Sequence, residues 1–320
     1  MHSTNDDERT SAAAVEAGEE VARQVLERIA IIATHDFVAM RTCYTEDAST
    51  RLVGFVPFSV TEGVDAIIQG AQSYCAAFPD DRLEVRTMLV NGKQVLILGL
   101  IRGTNSGSFM GMPATNNTLG LLIANHLTVT AAGQIAEEHI FADQSTWMAQ
   151  LMDSDMPHRP AMEYSGADPL IVVTRGDQAE DDNVARIAAL SDAYNRHDLA
   201  AVVGHYTDDA TWVEVTAPHD HVGKPAISEV IASHFQMSSN ISRETVWMWG
   251  AGDYVAARFA LSGVNDGPSP GGGPATGKSY RVEELHVYKL HDGAISEHRS
   301  FGNAFALMVQ LGLAPDPSQA

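Results

Sequence analysis

Cysteine is scarce in this sequence. Cys43 and Cys75 are the two cysteines among 320 residues. Two cysteines are too few for a disulfide framework, and neither lies in a CxxC or Cys/His pattern typical of structural zinc. We therefore interpret both as small buried apolar residues and predict no metal site from them.

Basic residues are scarce as well. Lysine and arginine together number 20, against 41 aspartates and glutamates, so the formal net charge is −21. Proteins bind phosphate backbones and anionic lipids mainly by supplying positive charge. The composition therefore argues against DNA, RNA and membrane surfaces as partners.

Long hydrophobic runs are also missing. No segment approaches the roughly 18 apolar residues that a membrane-spanning helix needs. The first twenty residues are acidic and polar, and they lack the apolar core of a signal peptide. We expect a cytoplasmic protein. Its hydrophobic content of 45% is that of an ordinary globular chain.

The sequence does contain an internal repeat. Residues 133–151 align without gaps to residues 293–311 and are identical at seven positions, and at the same offset His126 meets His286. A repeat of this kind predicts two domains of similar build. We place them at 17–152 and 184–314, with a disordered tail at 1–16, a linker at 153–183 and a short tail at 315–320.

Each half reads as helices followed by strands. Asp36 and Asp198 are positioned to cap a short second helix, and glycines 63 and 223 open a third. The first strands are predicted at 50–56 and 211–216. Turn residues then separate four further strands in each half: 82–90, 94–102, 119–130 and 134–142, and 242–249, 254–262, 280–290 and 294–301. The apolar run 170–173 in the linker is a candidate strand. This order indicates an α+β fold with helices on one face of a curved antiparallel sheet.

Both halves resemble the SnoaL-like polyketide cyclases, within the fold family of nuclear transport factor 2, ketosteroid isomerase and scytalone dehydratase. The resemblance rests on turn and packing segments of both halves: 78–80, 102–104, 107–115, 133–150, 195–199, 206–210, 274–277 and 293–311. It implies two tandem cone-shaped α+β barrels, each enclosing a mostly apolar pocket for a small apolar molecule. The chemistry is expected from a few inward side chains, with no cofactor. Because relatives dimerise sheet to sheet, the halves are expected to form an internal pseudo-dimer, with a homodimer also open.

The matched histidines are the first candidates for chemistry. The resemblance implies that His126 and His286 point into the pockets, where an imidazole can donate to an enolate oxygen or move a proton near neutral pH. The alternative is a strand histidine satisfied by the backbone. By strand alternation, Glu284 and Tyr288 share the face of His286, with Ala124 and Thr128 as their counterparts in the first half.

The last strand of each half supplies further candidates. Its inward positions are predicted to be Glu138 and Ile140 in the first half, against His298 and Ser300 in the second. The cyclases place an acid/base aspartate at the position of Ile140 and Ser300, so this departure puts the aldol chemistry of the family in doubt. Asp143 and Asn303 match another aspartate of the family, and we interpret both as helix caps.

The first strand offers a second base position. Counted from the shared Tyr-x-x-Asp-Ala, it is Leu52 in the first half and Glu214 in the second, and Trp212 shares the face of Glu214. Glu214 could act as a general base if burial raises its pKa; the alternative is a solvent-facing glutamate. In the first half, Phe109 and Met110 lie on a loop expected to cover the pocket.

The run from Pro218 to His221 places two imidazoles beside Asp220. Such groups can bind a metal, but metal sites draw their ligands from separate elements, so we favour a solvated loop and predict no metal.

The sequence thus favours a polyketide cyclase-like enzyme that cyclises, isomerises or dehydrates an apolar polyketide or polycyclic substrate. Its second half would be catalytic, through Glu214 and His286, with His298 and Ser300 orienting the substrate. The alternative is a non-catalytic protein that binds an apolar ligand or acts as a scaffold, with one or both pockets degenerate.

Overall fold

The chain forms two compact units. Domain 1 comprises Met1–Val53 and Phe58–Arg175, and domain 2 comprises Gly54–Pro57 and Gly176–Ala320. The computed structural model describes residues 3–55, 60–109, 111–269 and 273–316. Met110, one of the predicted pocket residues, lies outside the described residues.

Domain 1 is a seven-stranded sheet with four helices among the residues that the structure describes. Its elements in chain order are α1 (Ser3–Ile32), α2 (Phe37–Arg41), β1 (Tyr44–Val53), β2 (Val60–Glu62), α3 (Val64–Ala77), β3 (Arg82–Asn91), β4 (Gln94–Thr104), β5 (Thr118–Val129), β6 (Ile135–Phe141), α4 (Gln144–Met152) and β7 (Leu170–Val173). The strand order is β2-β1-β6-β5-β4-β3-β7. The sheet is antiparallel except where β1 pairs with β6 and β3 pairs with β7.

Among the residues that the structure describes, domain 2 repeats this plan with a six-stranded sheet. Its elements are α5 (Gln178–Asn195), α6 (Leu199–Gly204), β8 (Tyr206–Glu214), β9 (His221–Val222), α7 (Gly223–Met237), β10 (Ser242–Ala251), β11 (Tyr254–Val264), β12 (Ser279–His291), β13 (Ala294–Phe301) and α8 (Ala304–Leu311). The strand order is β10-β11-β12-β13-β8-β9. Both domains are therefore α+β, as the sequence predicts.

One face of each sheet packs on the helices and forms the core. In domain 1, Val25 of α1 and Ile67 of α3 share a buried cluster with Ile97 of β4 and Leu127 of β5. Register shifts within the strand pairs, as between Val85 and Thr87, mark bulges, which bend a sheet. We call the core-facing side of each curved sheet its inner face.

Short helices begin where the sequence supplies a cap. Asp36 and Asp198 accept hydrogen bonds from the first backbone N–H groups of α2 and α6. Asp143 and Asn303 do the same for α4 and α8. The capping predictions for all four residues are confirmed, and they remove Asp143 and Asn303 from the candidates for chemistry.

Most strand ends agree with the sequence pattern, and the exceptions have local causes. The four later strands of each half lie within two residues of their predicted ends, and the predicted strand at 170–173 is β7. The first strands instead begin earlier, at Tyr44 and Tyr206. The acidic residues near the start of each of these strands are typical of a turn. In the structure this part of the strand pairs with the last strand of its domain through an irregular register.

The N-terminal segment also differs from its expected form. Helix α1 begins at Ser3 and so includes residues that the composition assigns to a disordered tail. Among the described residues, no helix is both long and apolar enough to cross a bilayer.

Candidate active site of domain 2

Three neighbouring strands of domain 2 bring the predicted polar residues together. His286 of β12 lies opposite Ser300 of β13, and Ser300 lies opposite Glu214 of β8. Two residues along each strand, Tyr288 lies opposite His298, and His298 lies opposite Trp212. Residues directly opposite in a sheet share a face. Tyr288 and Trp212 belong to the core cluster, so this set lines the inner face.

A chain of hydrogen bonds runs through the buried part of this set. Tyr206 Oη lies 3.0 Å from Nδ1 of His298, and Nε2 of His298 lies 2.8 Å from Nδ1 of His286. Nε2 of His286 in turn lies 3.0 Å from Oε2 of Glu284. Tyr288 Oη lies 3.3 Å from the same Nδ1 of His286. Both ring nitrogens of His286 and of His298 are therefore engaged within the protein.

The positions of the protons in this chain of hydrogen bonds follow from the groups that can only accept. Burial lowers the pKa of His286 and holds that of His298 well below its usual value, so both rings are neutral near pH 7. An ionised carboxylate can only accept, so Nε2 of His286 carries the proton and its Nδ1 accepts from His298. Nδ1 of His298 then accepts from the hydroxyl of Tyr206. The four groups form one directed chain that ends on Glu284.

Glu284 is held as a carboxylate. Its burial opposes ionisation, but the hydrogen bond from His286 and the charge of Arg243 outweigh it and lower the pKa of Glu284 to about 2. Glu284 is therefore negative at any physiological pH, and its role is electrostatic or orienting rather than acidic.

Glu214 is the second inner-face carboxylate. Its Oε2 lies 3.3 Å from Nε2 of His221, and Oγ1 of Thr216 donates to Oε1 at 3.2 Å. Burial would raise the pKa of Glu214, but the hydrogen bond from His221 and the charge of His234 lower it. The sequence made a role as base conditional on a raised pKa, and that condition is not met, because the two nearby imidazoles more than offset the desolvation.

Accessibility separates the groups that can meet a ligand from those behind them. The side chains of Glu214 and Glu284 are 23% and 22% exposed, whereas that of His286 is 1% exposed. His298 is buried to the same degree. The carboxylates are thus the accessible members of the site. The histidines predicted to touch substrate lie behind Glu284.

Two inner-face residues were missed by the sequence reasoning. His234 of α7 has a buried Nδ1 with no hydrogen-bond partner among the described residues. Burial lowers its pKa, and the charges of Glu214 and Glu284 oppose that shift. Ile227 and Ile231 precede it at helical spacing on the core side, so this pattern could have identified His234.

The second missed residue is Arg243 of β10. Its guanidinium carbon lies 3.9 Å from the ring centroid of Tyr194, and the side chain is buried. Its charge helps to keep Glu284 ionised. A register shift between Thr245 and Trp247 in the same strand breaks the simple alternation that would have assigned Arg243 to the inner face.

Trp212 and Ser300 bind each other. The indole Nε1 of Trp212 donates to Oγ of Ser300 at 2.8 Å, and its ring stacks on His298 at a centroid distance of 4.5 Å. The interior hydrogen bond satisfies both side chains. They therefore support the wall of the site, and their predicted contact with substrate stays a prediction.

Within the described residues, the inner face of domain 1 has fewer polar side chains than that of domain 2. Nδ2 of Asn125 donates to Oε1 of Glu138 at 2.9 Å, and both residues are buried. Burial raises the pKa of Glu138 to about 7, although the hydrogen bond from Asn125 opposes the rise. Leu52 and Ile140, which pair with each other, occupy the register of Glu214 and Ser300. This domain lacks the carboxylate–imidazole pairs of domain 2 at those positions.

The predicted inward orientation of His126 is wrong. His126 lies opposite His139 and beside Leu96, whereas the inner face of β5 carries Asn125 and Leu127. The cause is one extra residue in the turn between β5 and β6. Five residues separate Val129 from Ile135, against four between the paired Leu290 and Ile295 of domain 2. A one-residue slip moves a side chain to the opposite face.

The structural counterpart of His286 is therefore Asn125, not His126. In the same way Glu284 and Tyr288 correspond to Ile123 and Leu127, and not to Ala124 and Thr128. His126 is buried on the face of the sheet opposite the inner face.

Phe109 joins an aromatic cluster in domain 1. Its ring lies 5.5 Å from that of Trp147 and 5.7 Å from those of Tyr74 and Phe78, measured between centroids. These edge-on contacts anchor the loop. Whether Phe109 also meets a ligand stays a prediction.

In the histidine-rich loop of domain 2, the ring centroids of His219 and His221 lie 5.9 Å apart. Nε2 of His221 is directed to Glu214. Among the described residues, the one group of three ligand-type side chains with converging atoms lies in domain 1 and consists of His35, Cys75 and Asp81.

Comparison with known families agrees with this architecture. Residues 20–151 match the family model of the SnoaL-like polyketide cyclases, and residues 187–298 match that of the SnoaL-like domain. The chain thus consists of two SnoaL-like domains in tandem. No curated protein matches it.

Several solved structures resemble one domain at a time. A protein from Jannaschia sp. CCS1, described as a candidate SnoaL-like polyketide cyclase, is 21% identical, with a TM-score of 0.41 over 43% of this chain and 97% of that one. IdmH from Streptomyces antibioticus, described as a candidate polyketide cyclase, is 20% identical, with a TM-score of 0.36 over 41% and 98%. AclR from Streptomyces galilaeus, described as a candidate hydroxylase, is 21% identical, with a TM-score of 0.39 over 43% and 85%. Likeness at this level defines no reaction.

Proposed function

We propose that domain 2 is a polyketide cyclase-like enzyme that uses its own acid and base side chains on a small apolar substrate with an enolisable carbonyl group. The family models support a cyclase-like role, and the site supports the proton-transfer chemistry. The reaction class is cyclisation, isomerisation or dehydration through an enol or enolate.

One observation carries this proposal. Two partly accessible carboxylates, Glu214 and Glu284, lie on the inner face, and each is hydrogen-bonded to an imidazole, at 3.3 Å and 3.0 Å. Buried charged groups are costly unless they are paired, so a fold that needed only a wall would favour apolar residues there. Domain 1 has such residues in Leu52 and Ile140.

Glu214 is the base of the proposed reaction. It is ionised at neutral pH because its pKa is lowered, so it is ready to accept a proton from the carbon next to the carbonyl group. As that proton leaves, the C–H electron pair becomes the new C=C bond and the carbonyl oxygen gains the negative charge. We assign the donor to this oxygen to Nδ1 of His234, which has no partner among the described residues.

The three reactions differ in what the enolate does next. Attack on a second carbonyl carbon closes a ring, reprotonation at another carbon isomerises the substrate, and expulsion of a hydroxyl group as water dehydrates it. In each case the proton accepted by Glu214 is available for return. The Tyr206–His298–His286 chain positions Glu284, whose charge opposes the loss of the proton from His234.

The test is proton exchange at carbon. Benzoylacetone, an apolar 1,3-diketone, is incubated with the protein in D₂O, and loss of the signal of its central CH₂ group is followed by NMR. Replacing a positioned base costs about 10²- to 10⁴-fold in rate. Glu214→Gln should therefore remove most of the catalysed exchange.

Glu229→Gln is the matched control, because Glu229 lies exposed on α7 of the same domain. It should exchange like the wild type. Equal rates for wild type and Glu214→Gln would contradict the assignment of the base.

A second function suits domain 1, namely binding of an apolar ligand without catalysis. Its inner face has leucine and isoleucine where domain 2 has Glu214 and Ser300. Ile140→Trp should fill this space and remove one equivalent of a bound apolar probe in equilibrium dialysis. If the number of bound equivalents does not change, domain 1 does not bind the probe on its inner face.

A further inference from the structure

Three side chains of domain 1 converge outside the inner-face residues described above. His35 lies in the turn between α1 and α2, Cys75 lies in the last turns of α3, and Asp81 immediately precedes β3. One ligand atom from each, a ring nitrogen, a thiol sulfur and a carboxylate oxygen, lies within 4.8 Å of the other two. Nε2 of His35 is 3.1 Å from Oδ1 of Asp81.

We propose that His35, Cys75 and Asp81 form a binding site for a divalent metal ion of the zinc type. The three ligands come from three separate elements, which is the arrangement that the loop around His219 lacks. Their spacing along the chain matches no common motif, so the site cannot be recognised from the sequence alone.

Domain 2 shows what the fold requires at this position. His197 is the counterpart of His35: both have a φ of 56° and both precede a capping aspartate. His197 instead places Nε2 2.8 Å from the carbonyl oxygen of Ile241 and stacks on Phe235 at 4.7 Å.

At the 160-residue offset of the repeat, which differs by two residues from the spacing of His35 and His197, Phe235 corresponds to Cys75 and Ile241 to Asp81. One SnoaL-like domain of this chain therefore folds with an aromatic ring and an aliphatic side chain at these places. Domain 1 has a thiol and a carboxylate there, both of them metal ligands, and the packing of the fold does not demand either.

The electrostatics of the cluster suit a cation. The side chains of Asp81 and His35 are 14% and 23% exposed. A divalent ion would supply the positive charge that this half-buried carboxylate lacks.

The same three residue types could form a thiol nucleophile with its base, but the thiol is in the wrong state for that. Burial and the charge of Asp81 raise the pKa of Cys75 to about 11. Nucleophilic cysteines have a lowered pKa. A metal ion can instead displace the thiol proton on binding, so binding would release protons and tighten as the pH rises.

The donor set selects the kind of metal. One nitrogen, one sulfur and one oxygen are the ligands that Zn²⁺ accepts, and three protein ligands leave a fourth position for water. The ion would tie the turn after α1 to the end of α3. This site is independent of the function proposed for domain 2.

The experiment uses the full chain without an affinity tag, stripped with a chelator and titrated with Co²⁺ as a spectroscopic probe and with Zn²⁺ in competition. We expect one metal equivalent per chain and a thiolate-to-cobalt absorption band. Removing a direct ligand should weaken binding by more than about 100-fold, since even the loss of an outer-shell partner costs 10- to 100-fold. Cys75→Ser should therefore abolish the band, and Asp81→Asn should weaken zinc binding to that extent.

Cys43→Ala is the matched control, because Cys43 is the other cysteine of the chain and is absent from the cluster. It should bind cobalt with the wild-type band. Circular dichroism of each variant confirms that it is folded. Binding that survives in Cys75→Ser, or the absence of binding by the folded wild type, would overturn the proposal.

Discussion

Glu284 and His286 lie two residues apart on the inner face of β12, and the distance between Oε2 of Glu284 and Nε2 of His286 is 3.0 Å. This bond ends the chain that begins at Tyr206, and it fixes the charge of the site. The charge of Glu284 opposes the lowering of the pKa of His234, and the charge of Arg243 helps to keep Glu284 ionised. Glu214 is the second accessible carboxylate of the site.

The lowered pKa of Glu284 predicts acid sensitivity. A carboxylate whose folded pKa is depressed adds stability above its unfolded value and loses it as the pH falls through the folded value. Between its ordinary value of 4.5 and about 2, domain 2 should lose up to about 3 kcal/mol. Urea unfolding followed by tryptophan fluorescence measures this loss, since Trp212, Trp247 and Trp249 lie in domain 2.

Glu284→Gln should be less stable at pH 7 and should lose less stability than the wild type across the same pH range, since Glu214, whose pKa is also lowered, still titrates. Glu244→Gln is the control, because Glu244 forms an exposed ion pair with Arg281. An unchanged acid transition in Glu284→Gln would show that another group titrates.

The raised pKa of Glu138 predicts the opposite pH dependence of stability for domain 1. A group whose folded pKa is raised contributes stability below its unfolded value and loses it as the pH rises through the folded value. Domain 1 should therefore lose stability between about pH 4.5 and 7. A carboxyl ¹³C NMR titration should show a midpoint near 7 for Glu138. Glu138→Gln should remove that signal, and Glu137→Gln, on the opposite face of β6, should leave it in place.

Replacing Ser300 should lower the stability of domain 2 rather than change its substrate specificity. Ser300→Ala leaves the buried indole N–H of Trp212 without its acceptor, which costs about 1–3 kcal/mol. The free energy of unfolding should fall by this amount, while the KM for a substrate stays close to the wild-type value. Ser296→Ala, on the same strand but half-buried, should cost less. A large change in KM with no loss of stability would instead support the substrate contact.

His126 and His286 should differ in their effect on exchange. His286→Leu removes a hydrogen bond to a charged group worth about 1.5–3 kcal/mol, which corresponds to about a 10- to 150-fold change in rate if Glu284 supports the reaction. His126→Leu changes a residue on the other face of the sheet and should leave the exchange rate unchanged. Equal losses in the two variants, both folded, would argue for an indirect effect through stability.

Much of the fold could be predicted because it depends on local signals. Turns such as Asn91-Gly92 and Asp292-Gly293 end strands in chemically defined ways, and Asp36 and Asn303 mark helix starts. The repeat then fixed the number of domains. The early start of β1 was missed because its acidic residues resemble a turn.

The site could be predicted only where strand alternation held. Alternation held for His298 and Ser300, which lie in the part of the second repeat, residues 293–311, that aligns without gaps to the first. It failed for His126, because one inserted residue in the β5–β6 turn reverses the face, and identity at a fixed offset hides that insertion. His234 could have been predicted as an inner-face residue only if its place in the helical spacing of α7 had been interpreted as inward-facing. The pKa of Glu214 depended on His221 and His234, whose positions only the fold reveals.

The most direct test of the central claim is a crystal structure of the full chain with benzoylacetone bound. We predict the ligand on the inner face of domain 2, with its acidic carbon within about 3.5 Å of a Glu214 carboxylate oxygen, as a reacting pair requires. One of its carbonyl oxygens should accept a hydrogen bond from Nδ1 of His234. A ligand bound elsewhere, or one whose acidic carbon lies beyond the reach of Glu214, would contradict the account.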